Sequence, residues 1–284
     1  MISSINTTDF EDWCVNPDRE TLLMGILNIT PDSFSDGGLY FRKEQAVSHA
    51  ELILKNGADI LDIGGESSRP GSESINIEDE LERVIPVIQE IRNAYPQCLI
   101  SIDTYKPDVA KEAIMAGANI INDITGLSFD NAMIDLISLT KVPVIIMHMK
   151  GTPKNMQKNP TYNNLISDII YYFNNQINKA HSGGIINNKI ILDPGIGFGK
   201  TVSHNFSLIK NLGQICDLGY PVLIGPSRKS FIGHTLDLPE KERVEGTAAS
   251  ICAGIMNGAR IVRVHDICEM KRVVTITEKI RTAL

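Results

Sequence analysis

Residues 190–200 read IILDPGIGFGK. Three apolar residues, Ile190, Ile191 and Leu192, end on Asp193, and Pro194 with Gly195, Gly197 and Gly199 then turns the chain. An apolar run closed by breakers reads as a buried strand whose charged residue sits where the strand surfaces. The pattern recurs seven more times. Residues 22–28 end on Asn28, 60–65 carry Asp62 and run into Glu66, and 99–103 end on Asp103. Residues 120–122 end on Asn122 and 144–148 on His148. Residues 222–227 lead into Arg228 and Lys229, and 261–265 carry Arg263 and His265.

Segments of helical period lie between these runs. Ala46, Val47, Ala50, Ile53 and Leu54 form one stripe in residues 43–56, and Leu81, Val84, Ile85, Ile88 and Ile91 form another in 78–92. Further helices are expected over 107–116, 131–140, 162–182, 204–218, 240–257 and 266–281. Pro107 opens one of them, where a missing N–H costs nothing. Gly57, Gly117, Gly219 and Gly258 follow the last turns, where a left-handed cap suits glycine. Eight strand–helix units predict an α/β fold, a single (β/α)8 TIM barrel over residues 21–284. An open doubly wound sheet normally carries a Gly-rich phosphate turn after its first strand. Here that turn reads NITPDSFSDGG, residues 28–38. Residues 1–20 form an N-terminal extension, expected to be a peripheral lid or arm.

Composition narrows the function. The 284 residues are 43% hydrophobic and 21% charged, ample for a globular core. A net charge of −7 and a pI near 5.4 argue against a nucleic-acid partner. No apolar stretch reaches the ~18–20 residues of a membrane span. The opening MISSINTTDFEDWC is polar and acidic, unlike a secretory signal. Cys14, Cys98, Cys216, Cys252 and Cys268 are scattered without CxxC spacing, which fits reduced thiols in a cytoplasmic protein and gives no zinc site.

The strand ends carry the chemistry, because the loops after barrel strands build the site. Asp103, Asn122, Asp193 and Lys229 would converge at the mouth. Burying charge without partners is costly, so the set is either an ion-pair network under the loops or a pocket for a flat, nitrogen-rich ring. In the second reading the carboxylates accept ring N–H groups, Asn122 donates and accepts, Lys229 donates, and Ile124, Met147 and Phe198 supply apolar walls. A second cluster, Asn28, Ser68, Arg69, Ser230, Arg263 and His265, has the chemistry of an anion site. Arg263 and His265 stand at i, i+2 on one strand and point the same way. Alone, His265 would read as a structural histidine; beside Arg263 at a strand end it reads as part of the site. Asn28 could ligate Mg²⁺ through its amide oxygen while the anion supplies further ligands.

Taken together, the loops resemble the dihydropteroate synthases. The matching stretches are MGILNITPDSFSDGG (24–38), DIGGESSRPG (62–71), SIDTYKP (101–107), INDITG (121–126), HMKGTP (148–153), LDPGIGFGK (192–200), GPSRKSFIG (225–233) and RVHD (263–266), all in the family's order. The resemblance implies attack of p-aminobenzoate on 6-hydroxymethyl-7,8-dihydropterin diphosphate, giving 7,8-dihydropteroate and pyrophosphate. It assigns the pterin to Asp103, Asn122, Ile124, Met147, Asp193, Phe198, Lys229 and Arg263. Diphosphate falls to Asn28, Ser68, Arg69, Ser230, Arg263 and His265, with Mg²⁺ on Asn28. The p-aminobenzoate pocket, where sulfonamides would compete, falls to Phe34, Ser68, Arg69, Pro70, Phe198, Lys229 and Ser230. Asp103, Lys229, Arg263 and His265 are the expected catalytic residues. A homodimer using late barrel helices is expected from the family. Two rivals share the Asp/Asn/Asp pocket: a methyltetrahydrofolate:corrinoid-type methyltransferase, which needs no diphosphate clamp, and a non-catalytic pterin-binding homologue.

Overall fold

The computed structural model describes residues 7–30 and 39–283. Eight strands form one parallel sheet: β1 (Leu22–Asn28), β2 (Ile60–Gly64), β3 (Leu99–Asp103), β4 (Ile120–Asp123), β5 (Val144–Met147), β6 (Ile190–Asp193), β7 (Leu223–Ile224) and β8 (Ile261–Val264). They pair in the order β6-β5-β4-β3-β2-β1-β8-β7. A parallel bridge between Leu192 and Val222, with the Leu192 N–H donating to the Pro221 carbonyl at 2.9 Å, joins the two end strands and closes the barrel. Around it run α2 (Leu39–Lys55), α3 (Ile77–Ala94), α4 (Pro107–Ala116), α5 (Ala132–Thr140), α6 (Leu165–Ser182), α7 (Val202–Lys210), α8 (Gly213–Cys216), α9 (Ser230–Leu236), α10 (Val244–Met256) and α11 (Ile267–Arg281).

The helix ends have local causes. Asn76 accepts the Asp79 N–H in front of α3, Pro107 opens α4, and Thr201 with His204 forms a capping box on α7. Three departures from the sequence pattern matter. The segment 204–218 is two helices, α7 and α8, and 240–257 opens with a separate 3₁₀ turn, Glu240–Glu242. Helix α9 lies inside 225–239, which reads as loop because Gly225, Pro226 and Ser227 precede a periodic run too short to register.

Strand alternation sorts the core into two layers. Leu61, Ile63, Ile100, Ile102, Ile121, Ile146, Leu192, Val262 and their neighbours face outward against the helices. The alternate residues fill the interior, and its lower layer is wholly apolar: Leu22, Met24, Ile60, Leu99, Ile120, Ile145, Ile191, Leu223 and Ile261. The described part of the N-terminal extension, residues 7–20, lies away from the mouth. Its helix α1 (Thr7–Val15) sets Phe10, Trp13 and Cys14 against this lower layer and caps the opposite end of the barrel. The Phe10 and Trp13 rings stack at 5.5 Å, and the indole N–H donates to the Glu20 carbonyl at 2.8 Å. The amphipathic stripe of so short a segment gave no sign of which end it would cover.

Candidate active site

Continuing each strand by two or four residues changes the interior from apolar to polar. Register aligns Asn28 with Gly64, Gly64 with Asp103, and Asp103 with Asn122. Met147 aligns with Asp193 across β5 and β6. The side chains of Asp103, Asn122, Ile124, Met147, Asp193, Phe198, Lys229 and Arg263 come together around a narrow slot. Next to it opens a cavity of about 330 Å³ lined by Asn28, Ser68, Arg69, Pro70, Ser230 and His265, among others. Lys229, Arg263, Ser68 and Gly225 line both. Thus the two clusters read from the sequence are halves of one site, and its wall is basic. Phe34 lies outside the described residues. A larger space, about 600 Å³, opens on the far side of the second loop; it shares Ile124 with the slot and holds none of these ionic groups.

Arg263 organises the charge. Its Nε donates to Asp62 Oδ2 at 2.6 Å and its Nη2 to Asp103 Oδ2 at 2.7 Å. Two of its five N–H donors are thereby used, and the side chain lines both the slot and the cavity. Burial opposes the guanidinium's charge, but Asp62 and Asp103 outweigh it and raise its pKa. Asp62, fully buried, also takes the Asn122 Nδ2 at 3.3 Å, so it fixes both partners. Sequence reasoning did not single out Asp62. The signal was present, since it stands at i+2 from Ile60 and so faces the interior of an otherwise apolar strand. Burial pushes the Asp103 carboxyl up to about 7 against the pull of Arg263, with Asp62 adding to the rise. Burial likewise takes Asp193 to about 6, although the Gly195 N–H donates to Oδ1 at 2.7 Å and Lys229 pulls down.

Lys229 enters from the seventh loop. Arg228 just before it adopts φ 57°, a left-handed conformation that is costly for a residue with a Cβ. Three contacts hold it there. The Arg228 guanidinium grips both oxygens of Asp266, its N–H donates to Thr247 Oγ1 at 3.1 Å, and its carbonyl accepts Arg243 Nη1 at 2.8 Å. Arg228 and Asp266 thus pair with each other at the edge of the cavity, and their neighbours Lys229 and His265 line it. The Lys229 ammonium sits 4.0 Å over the Phe198 ring. Burial, with Arg263 adding to it, lowers its pKa to about 8.

Phe198 is presented by a loop that glycine makes possible. At Gly195, φ 69°, a Cβ would come 2.0 Å from the His148 carbonyl oxygen. Buried Lys200 ties the fifth and sixth loops together, donating to the Phe198 carbonyl at 3.0 Å and meeting His148 Nδ1 at 3.1 Å. Burial and Lys200 drive His148 down to about 2, so its imidazole is neutral and can accept.

His265 is set by Ser227. The Ser227 Oγ accepts the His265 backbone N–H at 3.2 Å and lies 3.0 Å from Nδ1. In the tautomer that carries its hydrogen on Nε2, the Ser227 hydroxyl donates to Nδ1 and the Nε2–H is available to the cavity. Burial and Arg263 push this histidine down to about 3, so it is neutral. The second loop is less drawn in. Arg69 is 69% exposed and pairs with Glu240 at 3.0 Å, and Ser230 is exposed at the start of α9.

Among the described residues no cluster of three His, Cys, Asp or Glu side chains could hold a metal. The donor set at the cavity, one amide oxygen from Asn28 beside basic groups, fits a Mg²⁺ ligated mainly by diphosphate and water.

A closed barrel whose mouth joins a carboxylate-lined slot to a basic cavity is a ring-binding enzyme of the pterin class, and residues 24–265 match the pterin binding enzyme family. The dihydropteroate synthase of Synechocystis sp. is 45% identical over 94% of this chain and 91% of its own length. The Yersinia pestis dihydropteroate synthase, solved with a sulfonamide drug, superposes with a TM-score of 0.88 at 43% identity, covering 93% of this chain and 95% of that one. The Clostridium difficile enzyme, solved with pteroic acid, gives a TM-score of 0.87 at 43% identity over 93% of this chain and 97% of its own. The chain belongs to the dihydropteroate synthase family.

Proposed function

We propose that this site joins p-aminobenzoate to 6-hydroxymethyl-7,8-dihydropterin diphosphate, releasing pyrophosphate and forming 7,8-dihydropteroate. The observation that carries the reading is that Lys229 and Arg263 line both the slot and the cavity. A ring in the slot therefore has its exocyclic methylene at the shared wall, with diphosphate in the cavity and the aryl amine arriving past Ser68, Arg69 and Pro70. A corrinoid-type methyltransferase would have no use for the basic half.

Each residue has a physical task. Asp193 and Asn122 bind the pterin edge, Met147, Ile124 and Phe198 sandwich the ring, and Lys229 donates to it. The C–O bond to diphosphate breaks ahead of C–N bond formation by the amine nitrogen, whose proton leaves with the pyrophosphate. Negative charge grows on the leaving group, and Arg263 with the His265 Nε2–H stabilises it where it develops. Asp103, held against Arg263, favours cationic character at the methylene. If Asp103→Asn kept its kcat and changed only substrate affinity, this dissociative character would be wrong.

Mg²⁺ bound at Asn28 would supply further charge neutralisation of the diphosphate. Sulfonamides, as mimics of the aryl amine, are expected to compete in the pocket of Ser68, Arg69, Pro70, Phe198, Lys229 and Ser230. The protein acts as a homodimer in this reading, for which Met256, Ile276 and Ile280, exposed on α10 and α11, supply apolar surface. Light scattering should give twice the 31.3 kDa chain mass. No described helix is long and apolar enough to cross a membrane, and the five free cysteines fit the cytoplasm.

The test is pyrophosphate release with Mg²⁺, with and without p-aminobenzoate, while dihydropteroate is followed. Release should require p-aminobenzoate and match product one for one, and should vanish with EDTA. Pterin binding without either product would leave a binding homologue.

A further inference from the structure

The residues that hold the second loop were not assigned any part in the site, yet they form a densely bonded buried ionic cluster. Lys106 is 7% exposed, and its ammonium spends all three hydrogens: on Glu66 Oε2 at 2.6 Å, Glu80 Oε2 at 2.6 Å and the Ile75 carbonyl at 2.7 Å. Glu66 Oε2 also accepts the Ile75 N–H at 3.1 Å, and its Oε1 accepts the Tyr105 hydroxyl at 2.9 Å. Glu66 and Ile75 are the two ends of the loop. Its stem is therefore pinched shut from both sides by one lysine and one carboxylate. Gly65 allows the close approach, since a Cβ there would lie 2.9 Å from Val84 and 3.0 Å from the Glu80 side chain.

The tip is built differently. Ser68, Arg69 and Pro70 line the cavity, and Arg69 is largely exposed. Within the loop, Ser72 Oγ donates to the Ser67 carbonyl at 2.6 Å, and the Gly71 N–H donates to the Pro153 carbonyl at 3.0 Å. Among the described residues, no hydrogen bond from a strand end reaches the tip. Lys106 lies three residues beyond Asp103, so the clamp ties the stem to the strand that carries a site carboxylate. A buried ion pair stabilises a fold little more than an apolar substitute of the same volume would. What this cluster adds is a defined position for both ends of a loop whose tip meets a substrate.

We propose that Lys106, Glu66 and Tyr105 are positioning residues that act chiefly on the second substrate: they set the tip of the loop, Ser68, Arg69 and Pro70, against the aryl amine, whereas the diphosphate substrate keeps its contacts at Asn28, Asn122, Asp193, Arg263 and His265. The inference rests on the reaction proposed above. It predicts a split between substrates. Lys106→Met should raise the KM for p-aminobenzoate at least tenfold and weaken a competing sulfonamide in parallel. The affinity of the diphosphate substrate, measured by calorimetry, should fall by no more than about threefold, since most of its contacts lie off the loop, and kcat at saturating p-aminobenzoate should stay within threefold. Lys106→Arg, which keeps charge and donors, should restore most of the loss.

Hydrogen exchange gives a readout that needs no turnover: amides of residues 67–75 should exchange at least tenfold faster in Lys106→Met, with the barrel strands unchanged. If Lys106→Met does not fold, Tyr105→Phe removes one hydroxyl bond only and should show the same split at about threefold. Equal effects on both substrates, or none on p-aminobenzoate in a folded variant, would overturn the proposal while wild-type turnover still upheld the reaction. Absence of wild-type turnover would remove the reaction, and unchanged exchange in residues 67–75 would remove the clamp independently.

Discussion

The two ends of the barrel interior are made by the same strands and differ in almost every property. Ile120 lies at the bottom and Asn122 at the top of β4; Ile191 and Asp193, Leu99 and Asp103, and Ile261 and Arg263 repeat the contrast. The bottom is apolar and covered by α1. The top holds Asp62, Asp103 and Asp193 against Lys229 and Arg263, and burial raises the pKa of Asp103 and Asp193 and lowers that of Lys229. The difference teaches that one end supplies stability and the other spends it. A side chain whose burial opposes its own charge is poorly chosen for folding and well chosen for binding a charged transition state.

The contrast can be broken most visibly at Lys229. Lys229→Ala should lower turnover by about 10²–10³-fold, as loss of one transition-state donor does, while thermal unfolding stays at or above the wild-type temperature. At the other end, Phe10→Ala should cost about 3–5 kcal/mol of stability, as large-to-small core changes do. Its KM values, measured at a temperature where it is folded, should remain those of the wild type. A lowered unfolding temperature in the first variant, or altered KM values in the second, would blur the division.

Smaller effects sharpen it. Ser227→Ala frees the His265 ring to take the other tautomer and should raise the KM for the diphosphate substrate about fivefold, the worth of one hydrogen bond of ~1 kcal/mol. The pH dependence of kcat/KM for that substrate should be bell-shaped, with an acid limb near 7 from Asp103 and an alkaline limb near 8 from Lys229. Asp193 separates activity from stability. Its carboxyl is raised from 3.8 to about 6 in the folded chain, so the native state keeps a proton that the unfolded chain has released. Its contribution to stability therefore falls as pH rises from about 4 to 6 and is level above that. Denaturant titrations should show Asp193→Asn gaining on the wild type across that window and no further. A constant difference from pH 4 to pH 8 would mean that Asp193 is not shifted.

Much of this was legible in the chain. Apolar runs, their breakers and the helical stripes between them determine eight β/α units, because period 2 and period 3.6 are local properties of a sequence. The polar residues at strand ends, and the cavity-lining pair Arg263 and His265, follow from the same periods. Other features depend on contacts between residues far apart in the chain. Asp62 becomes the partner of Arg263 only when β2 and β8 face across the interior, and the pull of Lys106 on both ends of one loop needs α4 packed against α3. The placing of α1 under the barrel, rather than over its mouth, was decided by which end offered an uncovered apolar layer. Arg228 in its left-handed turn shows the same limit: no local preference favours it, and Asp266, Thr247 and Arg243 impose it. Sequence by itself determined the elements and the chemistry available to them. Tertiary structure decided which charges meet, since burial and pairing are set by distance in space.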